Sequence, residues 1–362
     1  MPPELDDRMP LASETGQAAG AATLARCTPV SLNLSLPTPS VDWADLGTVR
    51  FSEPFFHQTI NRWASGDPQP RLVRTTLEAL ADFDNALGHD PCGLIFHMSR
   101  CGSTLVSRLL GTIPQTLTIS EPQPLNALLS GAVPGADETA LAQAVRCMVR
   151  ALGGRRFDEQ SYVLKLSSWN IRHLRLFRRA FPAAKIVFVQ REPAEVLASM
   201  HADPPAWLQL RQNPAFAEAL FGIQADAIAR FDADEFGAHA LAAIIAAAFE
   251  AAERGALIVD YSELAPAAWT RVAPFFAIHI TAPDITRMRE EARFYSKDPN
   301  KRVFIGDPPE RYVDRRLRDL AAKIVGPAYS ELNRRRHVQL SEDRTTAAIL
   351  MKSPAMPHKP RR

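Results

Sequence analysis

"CGLIFHMSRCGSTLVSRLLGTI", residues 92–113, decides how this chain is read. Its first part, Cys92 to Ser99, is a short apolar run ending in small residues, and from Ser103 onward the apolar spacing is helical. A strand, a turn and a helix in that order bring free backbone N–H groups and the positive end of a helix dipole to one spot. Within Ser99-Arg100-Cys101-Gly102-Ser103-Thr104, the glycine lets backbone approach a ligand, two hydroxyls stand ready, and Arg100 adds a fixed positive charge. Every part favours an anion, although Ser-x-x-Gly-Ser-Thr alone is also an ordinary capped turn. The Gly-Lys-Ser/Thr ending of a nucleotide-triphosphatase loop is missing, as is a clear Walker-type Asp strand, which disfavours ATP–Mg²⁺ chemistry.

Outward from this stretch the alternation continues. "TLTIS" (116–120), "SYVLKLS" (161–167), "AKIVFVQRE" (184–192) and "ALIVDYSEL" (256–264) read as short buried strands. Between them, "NIRHLRLFRRAF" (170–181), "PAEVLASMH" (193–201) and an Ala-rich region from about Ala215 to Arg254 have helical spacing, and a further helix is expected near Pro309 to Arg336. The expected fold is α/β: a central parallel β-sheet flanked by helices, with ligands at the C-terminal strand edges.

Residues 1–40 mix Pro, Ser, Thr and Ala without a period and read as a flexible arm; 41–340 form the α/β domain; 341–362, ending "MKSPAMPHKPRR", read as a disordered basic tail. At 362 residues the chain can bury a sizeable core, and its formal charge of +2 is too small for a general nucleic-acid binder. Cys27, Cys92, Cys101 and Cys147 lack paired C-x-x-C spacing and are expected as reduced thiols. No His/Cys/Asp spacing suggests a metal. "MPPELDDRMP" lacks the apolar core of a signal peptide, and Ala240 to Ala252 falls short of the roughly 20 residues a bilayer span needs, so a cytoplasmic protein without a membrane span is expected.

"VFVQREPAEVLASM" places Arg191 at the end of a predicted strand and Ser199 eight residues on, on the next helix. A guanidinium grips a phosphate bidentately and a hydroxyl adds a donor, whereas in isolation Arg191 reads as an ion pair with Glu192 or Glu195. Together, "SRCGSTL" and "VFVQREPAEVLASM" resemble the sulfotransferases that use 3′-phosphoadenosine 5′-phosphosulfate (PAPS). "SRCGSTL" is similar to their 5′-phosphosulfate loop, in the variant with Arg where cytosolic members carry Lys, familiar from bacterial and protein-tyrosine sulfotransferases; "VFVQREPAEVLASM" is similar to their 3′-phosphate segment. The resemblance covers roughly Gly93 to Leu264, including "IVDYSEL", and implies a P-loop NTPase-like layered fold, which agrees with the alternation.

The resemblance implies roles. Ser99, Arg100, Cys101, Gly102, Ser103 and Thr104 would hold the phosphosulfate, and Arg191 and Ser199 the 3′-phosphate. Glu121, 21 residues beyond Arg100 in "TISEPQPL", corresponds to a general base, and Lys165 to the lysine that steadies the leaving group. A catalytic histidine of cytosolic members, two residues after that lysine, is replaced here by Ser167, which strengthens Glu121 as the base. "RFYSKDPNKRVFIGDPPERY" (293–312) is vaguely similar to a nucleotide-binding lid and offers Ser296 and Lys297, with Lys301, Arg302 and Gly306 nearby. His97 reads as a packed strand residue, Cys101 as a small residue filling a turn, and Phe55, Phe56 and Trp63 as core. The expected activity is sulfuryl transfer from PAPS to a hydroxyl or amine on a small-molecule, glycan, lipid or peptide acceptor. A nucleotide-kinase-like phosphotransferase and a non-catalytic nucleotide-binding module of the same fold are the alternatives. Acceptor identity and oligomeric state, a homodimer included, are open at this level.

Overall fold

The computed structural model describes residues 24–34, 39–66, 72–131, 137–298, 300–305 and 313–352. Two sheets organise them. In the smaller, β1 (Cys27–Asn33), β2 (Ser40–Asp45) and β3 (Leu72–Thr76) pair antiparallel in that order. Val30, Leu32, Val41 and Trp43 are buried in it, and the Trp43 indole donates to Thr75 Oγ1 at 2.8 Å. β1 falls inside the stretch read as a flexible arm. Pro29 and an irregularity of register between Pro29 and Ser31 break the alternation that would have revealed it. The rest of that arm, residues 1–23 and 35–38, lies outside the described residues, as does the end of the tail, 353–362.

The larger sheet is the parallel layer expected. β4 (Gly93–His97), β5 (Thr116–Ser120), β6 (Ser161–Lys165), β7 (Lys185–Gln190) and β8 (Leu257–Asp260) are arranged β5-β6-β4-β7-β8, every pair parallel. β4 and β5 are buried at every residue, which explains their continuous apolar runs: a parallel strand covered on both faces has no solvent side to mark.

Helices flank this sheet: α1 (Phe56–Ala64), α2 (Ala79–Leu87), α3 (Ser103–Gly111), α4 (Gln123–Ser130), α5 (Glu138–Leu152), α6 (Leu174–Ala180) and α7 (Pro193–Ala202). The Ala-rich region is three helices, α8 (Pro214–Phe221), α9 (Ala225–Arg230) and α10 (Ala233–Glu253), because Gly222 in a left-handed conformation closes the first and Asp232 caps the last. α10 is long and apolar enough to cross a membrane, and more than half of its most apolar stretch is buried inside the protein. It packs against α7 and the last helix. Further along lie α11 (Ala282–Glu291), α12 (Arg315–Leu320) and α13 (Gly326–Lys352). α13 continues past residue 341, where the tail was expected to begin.

From β4 the chain goes out to β5, returns to β6 beside β4, and then crosses to β7 and β8 on the other side. The order therefore reverses around β4, and the C-terminal ends of β4 and its neighbours border the crevice where ligands of open α/β sheets sit.

Candidate functional site

Each sequence-derived site residue except the pair on the 293–312 segment lies at or just beyond one of these strand ends or on the helix that follows. Ser99 to Gly102 follow β4, Glu121 follows β5, Lys165 ends β6, and Arg191 follows β7. Backbone pairing sets their spacing: Glu121 N–H donates to Lys165 O at 2.7 Å, Leu166 N–H to Ile95 O at 2.9 Å, and Met98 N–H to Val189 O at 3.2 Å.

The loop after β4 is bent in a way few loops are. Ser99 (φ +73°), Arg100 (φ +49°) and Gly102 (φ +82°) are left-handed, and two of these are not glycine. Each non-glycine residue costs roughly 1–2 kcal/mol in that region, a strain that persists where the surroundings over-determine it and that clusters at ligand sites. Gly102 is obligatory on two counts: besides its φ, a Cβ there would stand 2.5 Å from Leu264 Cδ1 and 2.9 Å from Tyr261 Cδ2. The element after β8 thus presses on the loop and holds it. α3 begins at once with buried Ser103 and Thr104, its dipole directed at the turn. Cys101 is fully buried and its thiol donates to Val189 O at 3.1 Å. Burial pushes that thiol up to about 11, so it stays protonated at neutral pH and fills the turn, as expected.

Around this loop stand three cations, each with a carboxylate. Lys165, fully buried, donates to Glu121 Oε1. Arg100 Nη1 lies 2.8 Å from Asp203 Oδ2. Arg191 Nε donates to Glu195 Oε2 at 2.7 Å, and its guanidinium lies 3.9 Å from the centroid of the Tyr261 ring. Ser199 is buried as well, but its hydroxyl accepts from Arg100 Nε at 2.8 Å, so it joins the loop arginine to α7. The Glu195 pairing is the one that an isolated reading of Arg191 anticipates; Asp203, Tyr261 and Trp207, whose indole N–H reaches Ser99 Oγ at 3.5 Å, carry no local signal of their place.

Glu121 is itself left-handed at φ +53°, and its side chain retains 27% exposure. Burial alone would raise its carboxyl, but Lys165 and then His97 outweigh it and hold it well below the usual carboxylate range. The Ser167 hydroxyl donates to the other oxygen at 3.4 Å. Phe55 lies over the Lys165 ammonium, 5.5 Å from ring centroid to nitrogen, whereas Phe56 and Trp63 are core. Beside Ser120 a cavity of about 380 Å³ opens between α3 and residues 51–54, lined in part by Ser107, Arg108, Glu291 and Lys301.

The basic segment after α11 is a short hairpin: Phe294 bridges Val303, and Tyr295 N–H donates to Arg302 O at 2.8 Å. Its base is moored to α3, since Arg108 Nε donates to Glu291 Oε1 at 2.7 Å and Lys301 to Glu291 Oε2 at 3.2 Å. Lys297 is exposed over its side chain as a whole, and partial desolvation of its ammonium lowers it to about 8. Arg100 and Lys165 push the same way, against Glu121 and Asp203. Its electrostatic neighbours are thus those of the loop and the Lys165–Glu121 pair. Ser296 precedes it on the turn, and Gly306 lies outside the described residues.

No family model matches the sequence, and no curated protein matches it. Among solved structures, the chain is similar to the sulfotransferase STF9 from Mycobacterium avium, at 15% identity and a TM-score of 0.41, over 66% of this chain and 76% of that one. It is likewise similar to a sulfotransferase from Alicyclobacillus acidocaldarius, at 16% identity and a TM-score of 0.41, over 69% of this chain and 96% of that one.

Proposed function

We propose that this protein transfers a sulfuryl group from PAPS to a hydroxyl or amine acceptor. The observation that carries the reading is the meeting of a strained, N–H-rich loop with Arg100, Lys165 and Arg191 and one half-buried carboxylate, Glu121, at the strand ends around β4. Cations and backbone donors are what a nucleotide with anionic groups at both its 3′ and 5′ positions needs, and a carboxylate within their reach is what an acceptor proton needs.

PAPS supplies the sulfuryl group when bound. In the transfer, the acceptor oxygen or nitrogen forms a bond to sulfur, the bridging S–O bond breaks, the acceptor proton goes to Glu121, and 3′-phosphoadenosine 5′-phosphate departs. Loop N–H groups, Arg100, Ser103 and Thr104 hold the 5′ side; Arg191, with Ser199 on the helix that follows it, serves the 3′-phosphate. Lys165 has two tasks that exclude each other in time. While it pairs with Glu121 the carboxylate is a weak base; once Lys165 turns to the leaving oxygen, Glu121 loses its nearest cation and its basicity rises. The acceptor is a small molecule, glycan, lipid or peptide whose hydroxyl or amine comes within reach of Glu121.

Calorimetric titration with 3′-phosphoadenosine 5′-phosphate, beside ATP–Mg²⁺, tests the reading. Selective binding of the bisphosphate is expected, and Arg191→Ala should weaken it by about 30- to 150-fold, the scale of a lost charge-assisted grip of 2–3 kcal/mol. Preference for ATP, or no binding, would overturn it.

Asp203 gives an expectation with the opposite sign. Its carboxylate, 71% exposed, sits on Arg100 where the ligand's anionic oxygens would go. Asp203→Asn should therefore tighten bisphosphate binding by about 2- to 5-fold, the modest size expected for an exposed ion pair, and the gain should shrink as salt is added. Unchanged or weaker binding would show that Asp203 does not compete.

A further inference from the structure

We infer that His97 is a positioning residue of this site, whose two ring nitrogens tie the anion loop to the end of β6 and so set the distance between that loop and the Lys165–Glu121 pair. The inference rests on the sulfuryl-transfer reading for the reaction served, though not for the geometry. His97 is the last residue of β4 and is buried. Its Nδ1 accepts the N–H of Ser99 at 3.0 Å, inside the left-handed turn. Its Nε2 lies 3.0 Å from Leu166 O, the residue directly after Lys165, and 3.6 Å from Glu121 Oε1.

A neutral imidazole has one donor and one acceptor nitrogen. Only the tautomer with its proton on Nε2 satisfies both contacts. The other tautomer would set N–H against N–H at Ser99 and leave a lone pair facing the Leu166 carbonyl. A protonated ring would lose the Ser99 bond too. Burial first, then Lys165, favours the neutral ring, against the pull of Glu121 and Leu166 O. Burial on β4 needs only an apolar side chain, as Leu94, Ile95 and Phe96 show before it. The acceptor on one side and the donor on the other are what distinguish histidine here, and each goes to a different half of the site.

Asparagine and glutamine imitate the two nitrogens separately, which makes the inference testable without knowing the acceptor. In His97→Asn the amide oxygen can replace Nδ1 toward Ser99 but nothing reaches Leu166 or Glu121. In His97→Gln the amide NH₂ can replace Nε2 but Ser99 N–H loses its acceptor. Affinity for 3′-phosphoadenosine 5′-phosphate and for inorganic sulfate reports the loop, and the Glu121 carboxyl titration, followed by ¹³C NMR, reports the other half. His97→Gln should weaken anion binding about tenfold and leave the Glu121 midpoint in place, while His97→Asn should keep binding within about threefold and move that midpoint upward. ¹⁵N NMR of the wild-type ring should show the neutral Nε2–H form between pH 6 and 8. Equal losses in both variants, or an Nδ1–H or charged ring in the wild type, would overturn the inference. A wild type that binds sulfate but not the bisphosphate would defeat the sulfuryl-transfer reading, and the split between the two variants would then be scored on sulfate.

Discussion

Glu121→Gln is expected to lower kcat by about 10²- to 10⁴-fold, the range for loss of a positioned general base, while 3′-phosphoadenosine 5′-phosphate binds as tightly as before or more so. The amide preserves shape, and its one oxygen can still accept from Lys165, while its NH₂ faces the Ser167 hydroxyl, which can turn to accept. What it cannot do is take a proton. Removing a negative charge next to Lys165 also leaves that ammonium freer to attend to an incoming anion. Transfer of radiolabelled sulfate to an acceptor found by screening, measured at saturating PAPS, separates the two effects. A parallel fall in nucleotide affinity would mean that Glu121 holds the site together and is not its base.

Lys165→Met should have the largest effect on stability. Lysine at this position is fully buried, and its charge is matched by Glu121. Breaking a buried pair by deleting one partner costs about 3–5 kcal/mol, and the lower end applies because Glu121 keeps 27% exposure. The loss should depend on pH in a defined direction. Glu121 has a folded pKa held below its unfolded value of about 4.3, so its contribution is fully present above that value and fades as pH falls toward the depressed folded one. In the methionine variant burial acts on the carboxylate with the nearest cation gone. The stability gap should accordingly be widest near pH 7 and narrow below about pH 4, as read from urea denaturation of both proteins across that range. A gap independent of pH would assign the loss to packing and not to the ion pair.

Several features of the site were legible because their information is local. The turn from Ser99 to Thr104, the helix behind it and Arg191 at a strand end are each contained in a dozen residues, and the parallel layer followed from short apolar runs alternating with helical spacing. The three-stranded sheet was not legible, since Pro29 and a shifted register hide the alternation of β1, and β3 lies some 40 residues further along the chain. The break of the Ala-rich region into α8, α9 and α10 was hidden for a related reason: helical apolar spacing resumes after each short connection, and only capping geometry marks the ends. Ser199 shows the limit most clearly. Its spacing from Arg191 suggested a shared phosphate, but nothing local shows that its hydroxyl also accepts from Arg100.

By itself, then, the sequence determined the α/β layer, the turn after β4 and the identity of the charged groups, because strand and helix periods and turn chemistry are properties of neighbouring residues. Tertiary structure alone decided that Lys165 meets Glu121, that Arg100 meets Asp203 and Ser199, and where His97 points. Lys165 finds Glu121 across 44 positions and Arg100 finds Ser199 across 99. Contacts of that span are set by strand order and register, in which β6 lies between β5 and β4, and no local pattern encodes the order in which strands take their places.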